Sequence, residues 1–259
     1  MNRATERLLE DLAERAIGDG RIGHLGFSFH DSFDLFQEIV DAYPGWEFVQ
    51  IQYNYVNETV QAGTRGLEYA ASKGLPIVVM EPLLGGGLVN PPESIREVFA
   101  DSPYPERAPV EWALQWLWNR PEIATVLSGM GAMSQVEENL ACASRSGIGT
   151  LSEDELETIS DAAYAFRQLN SIPCTRCGYC MPCPNGVDIP RNFEMYNNMH
   201  IFKGNQDFLN RTIYINFMAK EARADKCTVC NECLPKCPQH IKIPELLPKV
   251  HETLSRPLS

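Results

Sequence analysis

The sequence predicts an α/β protein: a parallel sheet covered by helices, followed by a smaller region organised around cysteine. Three observations carry this. Short apolar runs bounded by glycine or proline alternate with helical patterns up to about residue 150. Eight of the nine cysteines lie in two tight runs after residue 170. The chain has 259 residues, long for one domain and comfortable for two. The expected division is 1–165 and 166–259.

The elements follow in order. Leu8, Leu9, Leu12, Ala13 and Ala16 form a helical stripe over Thr5 to Ile17, ended by Gly18-Asp19-Gly20. Ile22 to Phe27 reads as the first strand, and Phe33, Phe36, Ile39 and Val40 then mark a helix over Ser32 to Tyr43. Phe48 to Tyr53 is the second strand, with a helix from Gly66 to Lys73. Leu75 to Met80 is the third strand, ending at Glu81-Pro82. Helices are expected over Pro92 to Phe99 and Pro109 to Trp118, a fourth strand over Ile123 to Ser128, and a helix from Ser134 through Cys142. Right-handed crossovers leave two solutions, an open doubly wound sheet or a barrel, and periodicity does not choose between them. Gly85-Gly86-Gly87 lacks the spacing of a dinucleotide fingerprint and reads as a tight turn.

Charge narrows the function classes. Asp and Glu number 34 against 22 Lys and Arg, a formal charge of -12. That argues against general attraction to nucleic acid or anionic lipid and favours a partner with a basic docking surface. No stretch approaches the roughly 18 apolar residues of a membrane span. The first residues lack a signal-peptide core, so the cytoplasm is the expected location.

Specific residues choose between the two sheets. Gly26-Phe27-Ser28-Phe29-His30, Gln50-Ile51-Gln52-Tyr53-Asn54, Met80-Glu81-Pro82-Leu83-Leu84-Gly85-Gly86, Pro109-Val110-Glu111-Trp112-Ala113-Leu114 and Val136-Glu137-Glu138-Asn139-Leu140 occur in that order along the chain. Together they resemble the second half of an aldo/keto reductase barrel, in the branch that carries a C-terminal iron–sulfur domain. The resemblance implies the last four strand-helix units of a (β/α)8 barrel and a nicotinamide dinucleotide, NAD(H) or NADP(H). It places Ser28 and Gln50 near the carboxamide, Met80 and Glu81 beside the nicotinamide ring, and Ser128, Gly129, Glu138 and Asn139 along the adenosine end. Gly129 and Gln135 stand where NADPH-preferring members often carry basic groups, so preference should weaken or turn toward NADH. The family's Asp, Tyr, Lys and His come from the first half of the barrel. The chain reads as starting after the fourth strand, with that histidine upstream of Met1 and no tyrosine before Tyr43. No catalytic residue is therefore assigned, and Tyr53 and Tyr55 are the nearest substitute phenols.

The cysteine runs are the strongest signal. Cys174-x2-Cys177-x2-Cys180-x2-Cys183-Pro184 and Cys227-x2-Cys230-x2-Cys233-x3-Cys237-Pro238 follow the bacterial-ferredoxin pattern, the first one residue short before its last cysteine. Three thiolates of one loop bind three corners of a [4Fe–4S] cube, and in two-cluster proteins the cysteine before proline ligates the other cube. This assigns Cys174, Cys177, Cys180 and Cys237 to one cluster and Cys227, Cys230, Cys233 and Cys183 to the other. Zinc ribbons use separated pairs and have no need of Cys-Pro. Reduced thiols in an unsecreted chain argue against disulfides, and Cys142 reads as a core thiol. Cys183 to Pro190 repeats as Cys237 to Pro244 at a constant offset of 54, and the three cysteines before each at 53. With helical patterns over Phe193 to Phe202 and Phe208 to Ala222, the region looks like the α-helical two-cluster ferredoxin type. Tyr179 is expected to shield sulfur.

The implied function is an iron–sulfur oxidoreductase in which a nicotinamide site meets a two-cluster wire to a one-electron redox partner. Catalysis would need the missing barrel half, or self-association. The rivals are an electron-transfer or docking subunit without its own catalysis, and an incomplete gene product.

Overall fold

The computed structural model describes residues 3–174, 176–202 and 205–257. In chain order the elements are α1 (Arg3–Gly18), β1 (Gly26–Phe29), α2 (Phe33–Ala42), β2 (Phe48–Gln52), α3 (Gly63–Ser72), β3 (Ile77–Met80), α4 (Glu93–Ala100), α5 (Pro109–Trp118), β4 (Ile123–Val126), α6 (Met133–Ser144), α7 (Glu153–Gln168), α8 (Ile189–Ile201), α9 (Asn205–Thr212) and α10 (Ile243–Leu254).

The four strands are parallel and ordered β1-β2-β3-β4. A doubly wound sheet reverses its order at a switch point, and this one does not. Phe29, Ile51, Val79 and Val126 lie in register across the sheet. The first three, with Val49 and Ile77, are buried against helical residues such as Phe36, Leu67 and Trp116. Side chains alternate, so Ser28, Gln50, Val78 and Thr125 share the opposite face, where none is buried.

Several elements depart from the sequence reading. β1 starts at Gly26 rather than Ile22, because Arg21 and Ile22 both donate backbone N–H groups to the Ala16 carbonyl and so close the end of α1. α3 starts at Gly63, three residues early, at a glycine whose left-handed φ of 55° lets its neighbour Thr64 donate to the Glu58 carbonyl. The helix expected to reach Ala222 ends at Thr212. A single π turn follows over Ile213–Phe217, and Arg223 binds the carbonyls of Ile215 and Met218 that it leaves open. α7 and α10 were not foreseen. The signal for α7 is its capping box, in which Ser152 Oγ accepts from Glu155 N and Ser152 N donates to Glu155 Oε2.

A second core, with Val187, Ile189, Phe193, Ile243 and Leu247 among its buried residues, joins α8 to α10. Phe202 leaves that region and enters the first core, 5.7 Å from Phe166 between ring centroids. Gly87 admits it: a Cβ there would lie 2.8 Å from the Phe202 ring.

Candidate functional site

Two sites emerge, one at the ends of β3 and β4 and one between the cysteine runs. Glu81 leaves β3 with a left-handed φ of 52°, its carbonyl held by Asn54 Nδ2 at 3.1 Å. That turn opens a cleft of about 550 Å³ lined by Glu81, Ser128, Gly129, Glu138 and Asn139. Asn139 donates to Ser128 Oγ at 3.1 Å, fixing one wall. Ser28, Gln50 and Met80 do not line this cleft. They share the open face of the sheet, where Gln50 Nε2 points to Met80 Sδ at 3.6 Å. Gln135 lines the cleft but is occupied: its Oε1 accepts from the N–H groups of Gly131 and Ala132 at the start of α6.

The substitute phenols fail. Tyr53 is fully buried, its hydroxyl 2.8 Å from Thr64 Oγ1, and burial pushes its pKa up to about 12. Tyr55 is equally buried, with its hydroxyl unpaired, and burial drives its pKa up as well. Both point to the helix side, where Tyr53 stacks on Trp116. His24 pairs with Glu47 at an exposed position.

At the cysteine runs, thiols of the two runs come together. Cys180 and Cys183 of the first run line one cavity together with Cys227, Cys230 and Cys233 of the second. Cys237 lies close enough to Cys174 to act on its ionisation, as does Cys177. All nine cysteines are free thiols. Among the described residues no three His, Cys, Asp or Glu groups converge as a single ion would require. The backbone repeats as the sequence does. Arg176 and Gly178 flank Cys177 with φ of 55° and 76°, and Val229 and Asn231 flank Cys230 with φ of 57° and 65°. Gly186 and His240, three residues past each Cys-Pro cysteine, are left-handed too, and each donates its N–H back to that cysteine's carbonyl. α8 and α10 then begin 54 residues apart, each with proline in its first turn. Left-handed residues beside a ligand gather backbone N–H groups into a concave anion site, and a β-branched valine accepts that conformation only under constraint. The free thiols and the paired left-handed loops fit iron–sulfur cubane ligation. Asn185 Nδ2, 3.7 Å from Cys230 Sγ, offers the second run a side-chain donor. Tyr179, expected to shield sulfur, is 67% exposed.

Residues 5–163 match the aldo/keto reductase family, more than half of the chain. The chain belongs to that family. Residues 173–241 match a 4Fe-4S dicluster domain, so an aldo/keto reductase domain is followed by a ferredoxin-type one. Similar solved structures include an aldo-keto reductase, AKR11C1, from Bacillus halodurans in its holo form, at 19% identity and TM-score 0.46, covering 57% of this chain and 53% of that one. An aldose reductase from Giardia lamblia matches at 16% identity and TM-score 0.45, covering 59% and 48%. An aldo-keto reductase from Klebsiella pneumoniae in complex with NADPH matches at 18% identity and TM-score 0.42, covering 57% and 50%. The chain thus spans about half the length of the solved structures it matches. No curated protein matches it.

The aldo/keto reductase domain meets the dicluster domain at the first cysteine run. A cavity of about 640 Å³ lies there, with Asn57, Glu58 and Leu84 on one side and Cys174, Arg176 and Asn198 on the other. Asn197 binds both the N–H and the carbonyl of Ile172, locking the approach to Cys174. Arg176 Nη2 donates to Asn57 Oδ1 across the interface. Sequence reasoning missed this contact, for which a lone arginine between two cysteines gives no signal.

Proposed function

We propose that the chain is an iron–sulfur oxidoreductase component that passes electrons between a nicotinamide dinucleotide and a one-electron partner through two [4Fe–4S] clusters. The observation that carries this reading is the gathering of Cys183 with Cys227, Cys230 and Cys233 in loops whose left-handed residues repeat. In it, residues 1–165 form part of a barrel wall and 166–259 the cluster domain. Cys174, Cys177, Cys180 and Cys237 hold one cluster, and Cys227, Cys230, Cys233 and Cys183 the other. When bound, the clusters supply one-electron transfer and the dinucleotide a hydride.

The chain's own residues bind and orient. Ser28 and Gln50 present polar groups to a carboxamide from the open sheet face, with Met80 beside it. Glu81, Ser128, Gly129, Glu138 and Asn139 receive the rest of the nucleotide. No group in this arrangement holds a proton for a carbonyl oxygen, since Tyr53 and Tyr55 are buried on the far side. The reading therefore has the open face completed by further strands, from another copy or another chain, before carbonyl chemistry takes place.

Anaerobically prepared protein should be brown and contain about eight irons per chain. Replacing Cys237 by Ala should damage the cluster of the first run more than that of the second. Stoichiometric zinc without visible absorption would sink the proposal, and damage confined to the second cluster would refute the crossed ligation.

A further inference from the structure

The two cysteine loops are twins in backbone but not in charge. Arg176 and Val229 occupy the same place, just before the middle cysteine, with φ of 55° and 57°. Val229 points outward and is 57% exposed. Arg176 turns inward, its side chain only 21% exposed, and binds Glu194 Oε1 at 2.5 Å and Asn57 Oδ1. Glu194 also accepts from Arg191 at 2.8 Å. Burial alone would raise the Glu194 carboxyl, but the two guanidinium groups outweigh it and hold its pKa below the usual range. Two cations thus share one carboxylate, and one of them, Arg176, sits on the cluster loop between Cys174 and Cys177 and lines the same cavity as Cys174. Asp188 and Glu81 act on Arg191, one step further from the run. Around the second run Lys226, just before Cys227, is paired with Asp225 at 2.9 Å and its side chain is 46% exposed, while Lys236 and Glu232 are exposed and opposite in sign, so water screens the cations there more than it screens Arg176.

We infer that Arg176 makes the first-run cluster the more readily reduced of the two, while anchoring it to the aldo/keto reductase domain. The inference rests on the dicluster reading above. Adding one electron to a cluster adds one negative charge, and a fixed, partly buried cation on the ligand loop favours the charged state more than a solvated one does. Arg keeps its charge at any working pH. In each transfer the one-electron partner loses one electron and a cluster gains it, with no proton moved. Electrons that reach the second-run cluster then run downhill to the cluster beside the domain interface.

The test is a redox titration followed by electron paramagnetic resonance on the full chain with its clusters assembled. The first-run signal is identified by its loss in Cys177→Ala. The wild type should give two one-electron steps, the first-run step at the higher potential. Arg176→Val should lower that step and leave the other in place, whereas Arg176→Lys should restore most of the shift. Val229→Arg, at an exposed position, should raise the second-run step. Steps that ignore Arg176→Val, or that move together, would overturn the inference and leave the dicluster reading standing. Wild-type protein without cubane signals would bring down that reading, and the inference with it.

Discussion

Gly129 and Gln135 show how much one side chain decides. Nothing lies within 4 Å of a Cβ built on Gly129, and its φ is outside the left-handed region, so a side chain fits there without strain. Gln135 has its amide oxygen committed to the turn before α6 and offers no positive charge to a nucleotide phosphate. Under the dinucleotide proposal, NADH should therefore bind at least as well as NADPH. Gly129→Arg should raise affinity for NADPH relative to NADH by roughly tenfold, since a hydrogen bond to a charged group is worth about 1.5 kcal/mol or more. Calorimetry with both nucleotides measures this. A wild-type preference for NADPH, unchanged by the arginine, would remove Gly129 from the adenosine end.

α7 owes its position to its first turn as much as to its apolar face. Glu155 reaches back to Ser152 N at 2.7 Å and binds Arg107 at 2.6 Å, with its side chain 8% exposed. Burial would raise this carboxyl, yet the hydrogen bonds from Ser152 and the charge of Arg107 hold its pKa below the usual value. Because the folded pKa is depressed, the contribution is present above the unfolded pKa and is lost as pH falls through the folded one. Glu155→Ala removes the cap and leaves Arg107 unpaired, so chemical denaturation at neutral pH should show a loss of about 3 kcal/mol. The gap between variant and wild type should narrow below about pH 4 as the wild-type carboxyl takes up its proton. A gap that stays constant into acid would mean that the ion pair contributes nothing. The cysteine loops follow the same logic, since the left-handed φ of Val229 is held by the loop around it.

At the scale of the molecule the sheet is unfinished among the described residues. β1 and β4 each pair on one side only, and Ser28 and Thr125 are exposed on the face opposite the helices. Open edges of a parallel sheet are templates for further pairing, and exposed surface of this kind signals an interface. Light scattering should therefore report an assembly larger than one chain. A monodisperse monomer would undo that expectation. Such a monomer should also fail to reduce aldehydes or ketones, because hydride transfer to a carbonyl needs a proton donor at the oxygen. Robust carbonyl reduction by purified monomer would show that a donor has been overlooked. None of the described helices is long and apolar enough to cross a membrane.

What the sequence determined by itself is local. Cysteine spacing marked the iron–sulfur domain, because the reach of a short loop is set by a few residues. The alternation of apolar runs and amphipathic stripes located all four strands and most helices of the first region, and Pro109–Trp118 came out with its observed bounds. α7 was missed although its capping box, Ser152 with Glu155, lies in the sequence. Strand order, the choice of the open face and the true start of β1 were decided only by the tertiary structure. Register depends on which apolar sets can be buried together, and that energy belongs to the assembled sheet. The same holds for the cleft, which gathers Glu81 with Asn139 but leaves Ser28, Gln50 and Met80 on the sheet face. It holds most clearly for Arg176 and Asn57, 119 residues apart, whose bond exists only because the second domain packs its first cysteine loop against the loop after β2.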